Sequence, residues 1–384
     1  IAPTEVSTGI DNVTTTGIQN NFLNAGDVLS LKSNFSETVL KVSASLTYKI
    51  VVGSDNETAT YSSGDNSDNL TFQYQIQAGD NDTDGISIDQ NNIIGTITDL
   101  AGNIASDVTI NALTDNSSYK VDTTAPSVDN FTMSDTALKI GDNATVTLIF
   151  SEPICPVSNL CAVELSNADI TVPTVGSSST SVGANTPFTA IATNDNVTWT
   201  TTFTPRDDIE DDTNTLSLDN EGYTDLAGNY GAADNQTANF LVDTREPVVS
   251  TVLVSSQEGI QNYFLNPNDN VSFTATFSET VIVDNSSGLS LTFLMGSENR
   301  SAQYSSGSGN AQQVFGYTID DLLTSGENDS NGLSTGSNPI VLPGVSTIKD
   351  LAGNTAIISH GGMDNNSAFK VDTIRPTLNS TGIT

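Results

Sequence analysis

The chain of 384 residues has little positive charge. It contains 11 Lys and Arg residues against 46 Asp and Glu residues, for a formal net charge of −35. A nucleic acid is bound through clustered Lys and Arg, so nucleic acid is excluded as a partner. Anionic membrane surfaces are disfavoured for the same reason, and we expect no direct membrane insertion of this segment. The self-repulsion of such a chain predicts bound cations, or alternatively solvation at high salt.

Residues that commonly carry catalysis are also scarce. His360 is the single histidine, two cysteines are present, and aromatic residues make up 6% of the chain. These residues cannot complete a zinc set, and the sequence contains no nucleophile elbow, phosphate loop or metal-hydrolase motif. A glycosidase would need an aromatic-rich cleft. We therefore predict that the chain is not an enzyme.

The two cysteines, Cys155 and Cys161, stand six positions apart. In an exported protein they are expected to pair and close a small loop. The chain-entropy model gives about 2 kcal/mol for so short a loop. Two free thiols are the alternative.

Three short motifs recur in the same order along the chain. Asp-Leu-Ala-Gly-Asn occurs at 99–103, 225–229 and 350–354; Phe-Ser-Glu precedes each copy at 35–37, 150–152 and 277–279; Val-Asp-Thr follows each at 121–123, 242–244 and 371–373. Tandem markers at a period near 125 residues indicate repeated domains. We place unit 1 at 1–124, unit 2 at 125–245 and unit 3 at 246–374, with 375–384 opening a further repeat. Because seven of the first ten residues match 374–383, we expect the natural chain to continue in both directions.

Each unit is predicted to be a β-sandwich. Apolar or small residues alternate before each Phe-Ser-Glu, for example Leu29, Leu31, Ser33 and Phe35, which is typical of a strand with one buried face. Turn clusters rich in Gly, Asn and Ser interrupt the strands, and no helical stripe is present. The fold class is therefore all-β, as tandem immunoglobulin-like sandwiches. The buried face also predicts Trp199 as a core residue of unit 2.

The series Phe-Ser-Glu, Asp-Leu-Ala-Gly-Asn and Val-Asp-Thr followed by Pro resembles the immunoglobulin-like repeats of large prokaryotic surface proteins, which include repeat adhesins and archaeal S-layer proteins. The acidic, Asn- and Thr-rich character is most similar to S-layer proteins of ammonia-oxidising archaea. The resemblance covers essentially the whole chain. It implies an extracellular location at the cell surface, in an S-layer or cell envelope.

An acidic segment aligns across the three units. It reads Asp-Asn-Asp-Thr-Asp-Gly from 80, Glu-Asp-Asp-Thr-Asn from 210 and Glu-Asn-Asp-Ser-Asn-Gly from 327. Oxygen-bearing residues at alternate places resemble the front half of a calcium loop, although a helix–loop–helix hand is ruled out because two copies lack the final Glu. The predicted ligands of structural calcium are Asp80, Asp82, Asp84, Glu210, Asp212, Asn214, Glu327, Asp329 and Asn331. A solvated Asp/Asn-rich turn is the alternative.

A second candidate set lies near the predicted linkers. It comprises the aspartates of Asp-Leu-Ala-Gly-Asn, which are Asp99, Asp225 and Asp350, and those of Val-Asp-Thr, which are Asp122, Asp243 and Asp372. These residues are either turn formers or ligands of a cation at the unit junctions, with Glu37, Glu152 and Glu279 as third contributors because a strand end can face the next unit. Gly102, Gly228 and Gly353 are expected to supply positive φ in the pentapeptide.

Asn-x-Ser/Thr triplets, the acceptors of N-linked glycans, occur sixteen times. Chance alone gives roughly ten from the Asn, Ser and Thr content, so glycosylation is a hypothesis. The candidate acceptors include Asn12, Asn34, Asn56, Asn69, Asn130, Asn196, Asn285 and Asn379.

Two functions follow from these patterns. The first is a structural segment of a secreted, self-assembling surface-layer protein, an acidic and calcium-stiffened array that contacts copies of itself in a lattice and forms a porous, cation-attracting coat. The second is the stalk of a large calcium-dependent surface adhesin. A two-dimensional lattice would favour the first, and an extended monomer at high protein and calcium concentration would favour the second.

Overall fold

The computed structural model describes residues 1–10, 17–88, 93–105, 114–155, 161, 163–255, 258–320 and 328–378. In this part of the chain three groups of sheets follow one another, and none of the described sheets contains strands from two groups. In the described residues, no helix is long and apolar enough to span a bilayer. The all-β fold predicted from the sequence is confirmed.

Unit 1 has a large and a small sheet. Its described strands are β1 (Glu5–Ile10), β2 (Phe22–Leu23), β3 (Val28–Lys41), β4 (Thr47–Val52), β5 (Asp55–Ser63), β6 (Ser67–Gln75), β7 (Asn81–Asp82), β8 (Ile93–Ile94), β9 (Ile97–Asp99) and β10 (Lys120–Asp122). The large sheet has the order β1-β3-β6-β5-β4-β8, with β9 paired to the end of β3. The small sheet has the order β2-β10-β7, in which β2 and β10 are parallel.

The described strands of unit 2 form three sheets instead of two. They are β11 (Val128–Met133), β12 (Ala137–Lys139), β13 (Ala144–Phe150), β14 (Ile170–Thr171), β15 (Gly183–Phe188), β16 (Ala192–Thr193), β17 (Thr198–Pro205), β18 (Glu210–Asn214), β19 (Ser217–Leu218), β20 (Asn235–Gln236) and β21 (Phe240–Asp243). One sheet has the order β11-β13-β17-β15, and the two others are β12-β21-β18 and β14-β19-β20. Short 3₁₀ turns lie at Asn167–Asp169 and Asn220–Gly222.

Unit 3 closely follows unit 1. Its strands are β22 (Val249–Val254), β23 (Phe264–Leu265), β24 (Asn270–Asp284), β25 (Ser290–Met295), β26 (Glu298–Ser306), β27 (Asn310–Thr318), β28 (Asn328–Asp329), β29 (Leu333–Thr335), β30 (Ile340–Val341), β31 (Thr347–Lys349), β32 (Met363–Asn366) and β33 (Lys370–Asp372). The large sheet runs β22-β24-β27-β26-β25-β29-β32, and the small sheet runs β23-β33-β28. Strand β31 pairs with the end of β24, as β9 pairs with β3.

Each unit has its own apolar core between its sheets. The three clusters of buried residues draw their members from 23–121, 131–242 and 249–371. In β3 the alternation is as predicted, because Leu29, Leu31, Ser33 and Phe35 are buried while the residues between them are partly exposed. Trp199 is buried in the core of unit 2, and its Nε1 donates to the carbonyl of Asn196 at 3.0 Å. The repeated pattern of buried residues places the three recurring motifs at equivalent positions in each unit.

Candidate metal centres at the unit junctions

The last strand of each unit delivers an aspartate to the junction with the next unit. Strands β10 and β21 end at Asp122 and Asp243, and the valine before each aspartate is buried in the core. Oδ1 of Asp122 accepts from the backbone N of Thr124 at 2.9 Å, a local bond that turns the chain into the linker. The side chains of Asp122 and Asp243 are half-buried and face the following unit.

The serine of Phe-Ser-Glu holds the linker against the next unit. In unit 2, Oγ of Ser151 accepts from the backbone N of Ser127 at 3.0 Å, and the N of Ser151 donates to the carbonyl of Ser127 at 2.9 Å. Ser278 makes the same pair of bonds to Val248, at 3.0 and 2.8 Å. Each clamped residue directly follows the linker proline, which is buried. These two bonds place the glutamate that follows each serine next to the last strand of the preceding unit.

The Asp-Leu-Ala-Gly-Asn segment is a closed loop built around its aspartate. In unit 2, Oδ1 of Asp225 accepts from the backbone N atoms of Ala227 and Asn229 at 2.8 and 2.9 Å, and Oδ2 accepts from Nδ2 of Asn229 at 2.8 Å. The glycine has a φ of +90°, a conformation that glycine adopts at little cost. In unit 3, Oδ1 of Asp350 accepts from the backbone N atoms of Gly353 and Asn354 at 2.6 and 2.8 Å, and Oδ2 accepts from Nδ2 of Asn354 at 2.8 Å. These aspartates are 1% and 3% exposed, and their bonds to backbone N atoms within the loop are those of a turn former.

The asparagine that ends this loop also reaches across the junction. Nδ2 of Asn229 donates to the carbonyl of Asp122 at 2.9 Å, and Nδ2 of Asn354 donates to the carbonyl of Asp243 at 2.8 Å. Each amide therefore joins the loop aspartate of one unit to the last strand of the preceding unit. The sequence analysis missed this role, although an asparagine at the same place in all three copies was the available signal.

Three carboxylates converge at each of the two junctions. They are Asp122, Glu152 and Asp225 at the junction of units 1 and 2, and Asp243, Glu279 and Asp350 at the junction of units 2 and 3. Within each group one carboxylate oxygen per residue lies within 4.8 Å of the others. Among the described residues, these are the groups of three or more acidic side chains close enough to share an ion. We call them junction site 1 and junction site 2.

Burial and mutual repulsion perturb these carboxyls. Desolvation, followed by the charges of Asp122 and Asp225, raises the pKa of Glu152 from 4.5 to about 7. Desolvation, followed by the charges of Asp243 and Asp350, raises the pKa of Glu279 from 4.5 to about 7. Near neutral pH each site therefore holds a glutamate that is only partly ionised.

The donor set of both sites suits a hard cation. Calcium binds oxygen ligands, and carboxylates are foremost among them. Oε1 of Glu279 is shielded from solvent and has no hydrogen-bond partner, a costly state for a carboxylate oxygen unless a cation satisfies it. Arg245 lies at the same junction, but it pairs with Asp208 at 3.3 Å and Glu210 at 3.2 Å on the surface. The residues of junction site 2 thus fit a bound cation.

The remaining two aspartates of this candidate set lie at the outer ends of the array. Oδ1 and Oδ2 of Asp99 accept from its own loop, including Nδ2 of Asn103 at 2.6 Å. Oδ1 of Asp372 accepts from the backbone N of Ile374 at 2.9 Å. Neither belongs to a group of three acidic side chains within the described part of the chain.

The acidic segments of units 1 and 3 are turns organised by one buried aspartate. Oδ1 and Oδ2 of Asp82 accept from the backbone N atoms of Gly85 at 2.7 Å and Gly53 at 2.8 Å. Asp329 does the same with Gly332 at 2.6 Å and Gly296 at 2.9 Å. This geometry is that of an Asx turn former. Calcium binding by these segments stays a prediction.

The other predicted ligands in these turns are spread over the surface or engaged elsewhere. Oδ2 of Asp80 accepts from the hydroxyl of Tyr74 at 2.7 Å and from the backbone N of Gln77 at 2.8 Å. Asp84 and Asn331 are exposed, and Glu327 lies outside the described residues.

The sequence prediction of a turn is wrong for unit 2. Glu210, Asp212 and Asn214 lie on strand β18, which pairs with β21. Glu210 and Asp212 are exposed, whereas Asn214 is buried and donates through Nδ2 to the carbonyl of Phe240 at 3.1 Å.

The alignment of these segments is also shifted by one residue. Glu210 pairs with Asp243, and the residues in the same place of units 1 and 3 are Asn81, opposite Asp122, and Asn328, opposite Asp372. The structural counterparts of Glu210 are therefore Asn81 and Asn328, not Asp80 and Glu327. A shift of one residue on a strand exchanges the two faces, so the aligned acidic positions are not equivalent.

The cysteine pair lies beside junction site 1. Cys155 and Cys161 are joined by a disulfide with their Cα atoms 6.2 Å apart.

The candidate glycan acceptors differ in exposure. Asn56, Asn130 and Asn285 are exposed, and Asn34, Asn69 and Asn196 are half-buried. Asn12 and Asn379 lie outside the described residues. Glycosylation of these sites stays a prediction.

Comparison with known proteins agrees with the fold. A model of the bacterial Ig-like domain matches residues 122–242, which is essentially unit 2. No curated protein sequence matches the chain.

Solved structures give weak overall likenesses. The N-terminal eight Ig domains of Down Syndrome Cell Adhesion Molecule align with 10% identity and a TM-score of 0.23, covering 91% of this chain and 36% of that one. A DUF4785 family protein from Legionella pneumophila aligns with 12% identity and a TM-score of 0.22, covering 94% and 91%. The Plexin A4 extracellular region aligns with 7% identity and a TM-score of 0.17, covering 95% and 24%. Structural similarity at these TM-scores and identities carries no information about function. From the domain match and the sheets, the chain is a tandem array of immunoglobulin-like β-sandwiches.

Proposed function

We propose that this chain is a structural segment of an extracellular surface protein, in which calcium at the two junction sites holds successive immunoglobulin-like units in a fixed arrangement. The observation that carries the proposal is the convergence of three carboxylates from two units at each junction. Two like-charged units would otherwise repel each other at this point. A cation that bridges them converts the repulsion into a link.

Calcium is the ion that the donors favour. All six carboxylates of the two junction sites are hard oxygen ligands, and the described clusters contain neither His nor Cys, which softer metals prefer. The rest of the coordination shell would come from backbone carbonyls or water, because calcium takes six to eight oxygens. Extracellular calcium is abundant, which is consistent with a cell-surface location.

The larger role is a surface layer built from copies of this protein. Its net charge of −35 would concentrate small cations close to the coat and repel anions. Because salt screens this potential over several ångströms at high ionic strength, the effect would operate within narrow pores. Glycans on exposed asparagines would face solvent in such a coat.

A calcium-dependent adhesin stalk is the second candidate, since the same rigid junctions would project a distant tip. Electron microscopy of the chain at high protein and calcium concentration separates the two. Planar sheets support the coat, and extended monomers support the stalk.

The junction sites are tested by calorimetric calcium titration and small-angle X-ray scattering of the whole chain. We compare the wild type with the double variant Glu152→Gln/Glu279→Gln. Wild type should bind two more ions than the double variant, and only wild type should become stiffer, with a narrower distance distribution, when calcium replaces chelator.

Glu37→Gln is the matched control, because Glu37 occupies the same motif position but is exposed and belongs to no group of three acidic side chains in the described chain. It should behave as wild type. Equal calcium stoichiometry in wild type and the double variant would refute the junction sites.

A further inference from the structure

The units differ in how they connect the glutamate of a junction site to its loop aspartate. In unit 3, strand β24 continues beyond Glu279 and pairs with β31, so that Ile282 lies opposite Lys349, directly before Asp350. Unit 1 has the same arrangement, in which Val39 of β3 lies opposite Asp99 of β9. A continuous backbone ladder thus sets the distance between the two acidic residues in both units.

Among the described residues, unit 2 shows no such ladder. Strand β13 ends at Phe150, and Glu152 is followed by Pro153, which has no N–H to donate. One isolated bridge, between Ile154 and Asp225, remains in the place of the strand extension, together with a bond from the backbone N of Cys155 to the carbonyl of Thr224 at 2.8 Å.

The disulfide occupies the position of the missing ladder. Cys155 is buried, and its partner Cys161 places Sγ 3.9 Å from the carbonyl oxygen of Asp225. The same Sγ lies 3.7 Å from Nδ2 of Asn20 in unit 1, and that amide donates to the carbonyl of Leu226 at 3.1 Å. The disulfide therefore contacts the loop of Asp225 on one side and the preceding unit on the other.

We propose that the Cys155–Cys161 disulfide positions Glu152 and Asp225 for the cation of junction site 1, and that breaking it weakens cation binding at this junction alone. This inference rests on the proposed function. Reduction by an external dithiol transfers two electrons and two protons, breaks the S–S bond and leaves two thiols. The described segment after Glu152 then keeps the bridge of Ile154 with Asp225 and two backbone bonds, from the N of Ile154 to Asn196 and from the N of Cys155 to Thr224. Junction site 2 keeps its backbone ladder.

The test measures each junction site in isolation within the full chain. Glu279→Gln removes a ligand of junction site 2 and leaves junction site 1 to be measured, and Glu152→Gln does the reverse. Each of these two variants, used as a background, is titrated with calcium twice. The first titration uses the chain with the disulfide intact, and the second uses the same chain with Cys155→Ser/Cys161→Ser added. We expect a loss of affinity on the order of tenfold in the Glu279→Gln background, typical of groups that orient metal ligands, and no change in the Glu152→Gln background.

A second measurement reports the position of the loop without metal. The backbone amides of Ala227 and Asn229, which donate to Asp225, should exchange hydrogen faster in the cysteine-free chain, while that of Asn354 should not change. Fluorescence of Trp199, the single tryptophan, shows whether the core of unit 2 remains folded.

Unchanged affinity at junction site 1, or an equal loss at both sites, would overturn the positioning role and leave the proposed function standing. Absence of calcium uptake in both disulfide-intact backgrounds would overturn the proposed function and this inference with it.

Discussion

Glu279→Gln should have opposite effects on stability in the absence and in the presence of calcium. Glu279 lies with Asp243 and Asp350 in a group whose carboxylate oxygens are within 4.8 Å of one another. Without a cation, the substitution removes a charge that repels two neighbours. With calcium, the same substitution removes a ligand.

The magnitude of the first effect follows from Coulomb's law. Two unit charges at the 4.8 Å limit of this group repel by about 0.9 kcal/mol at the dielectric constant of water and by about 3.5 kcal/mol at an effective value of 20. Glu279 is half-buried, so solvent screens part of the interaction and the lower figure applies. Relief from two neighbours then gives about 2 kcal/mol, or about 8 °C in the melting temperature of a domain of this size.

The magnitude of the second effect follows from mass action. A ligand at one hundred times its dissociation constant stabilises the folded state by about 2.7 kcal/mol. The wild type gains this stabilisation at junction site 2, and the variant does not. In saturating calcium the variant should therefore unfold at a lower temperature than the wild type, although it unfolds at a higher temperature in chelator.

Differential scanning calorimetry at pH 8, where Glu279 is largely ionised, measures both effects, and Glu37→Gln is the control. The higher stability of the variant in chelator should disappear at low pH. The folded-state pKa of Glu279 is raised to about 7, so its unfavourable contribution is present above that value and is lost as the pH falls towards the ordinary value of 4.5. At pH 5 the chelated wild type and variant should melt together. A variant that is less stable than the wild type in chelator at pH 8 would refute the reasoning.

Three further predictions concern the junction and the cores. Asn354→Ala should lower the free energy of unfolding by about 1–2 kcal/mol, because two acceptors lose their donor and the backbone N of Ile140 loses its acceptor. It should also broaden the scattering distance distribution. Asn103→Ala, which lacks a bond across a junction in the described structure, should change only stability. Gly79→Ala should destabilise unit 1 by about 1 kcal/mol, and Gly332→Ala should destabilise unit 3 by more than that. Both glycines have positive φ, but a Cβ at 332 would lie 2.1 Å from a backbone oxygen and one at 79 would meet nothing within 4 Å. Trp199→Ala should lower the stability of unit 2 by about 3–5 kcal/mol and leave the melting of unit 3 unchanged. Urea unfolding checks all three. Equal loss of stability in the two glycine variants, equal distance distributions in the two asparagine variants, or an equal shift of the unfolding midpoints of all units in Trp199→Ala would contradict these predictions.

Much of the fold was predictable because its signals are local. Alternation of period two before Phe-Ser-Glu predicts a strand with one buried face, and β3, β13 and β24 contain those residues. The turn role of Asp225 and its glycine was predictable for the same reason, since an aspartate side chain bonds backbone N–H groups a few residues away.

The candidate site was predictable only in part. The sequence indicated Asp122 and Asp225 as ligands at a junction and Glu152 as a third contributor, and the structure brings their carboxylates together. The recurrence of Ser151 and Asn229 in every copy marked both positions, but the sequence could not identify their partners, because Ser151 bonds the linker and Asn229 bonds the preceding unit.

The amino-acid sequence by itself determined the repeats, the β-sandwich class and the Asx turns, since periodicity and turn chemistry depend on neighbouring residues. Tertiary structure alone decided the register of Glu210, one residue away from its apparent alignment, because pairing with β21 rather than residue type selects the face of β18. It also decided which of many carboxylates meet. That outcome depends on how the linker clamp orients one unit on the next, and on a backbone ladder in unit 3 where unit 2 has a disulfide.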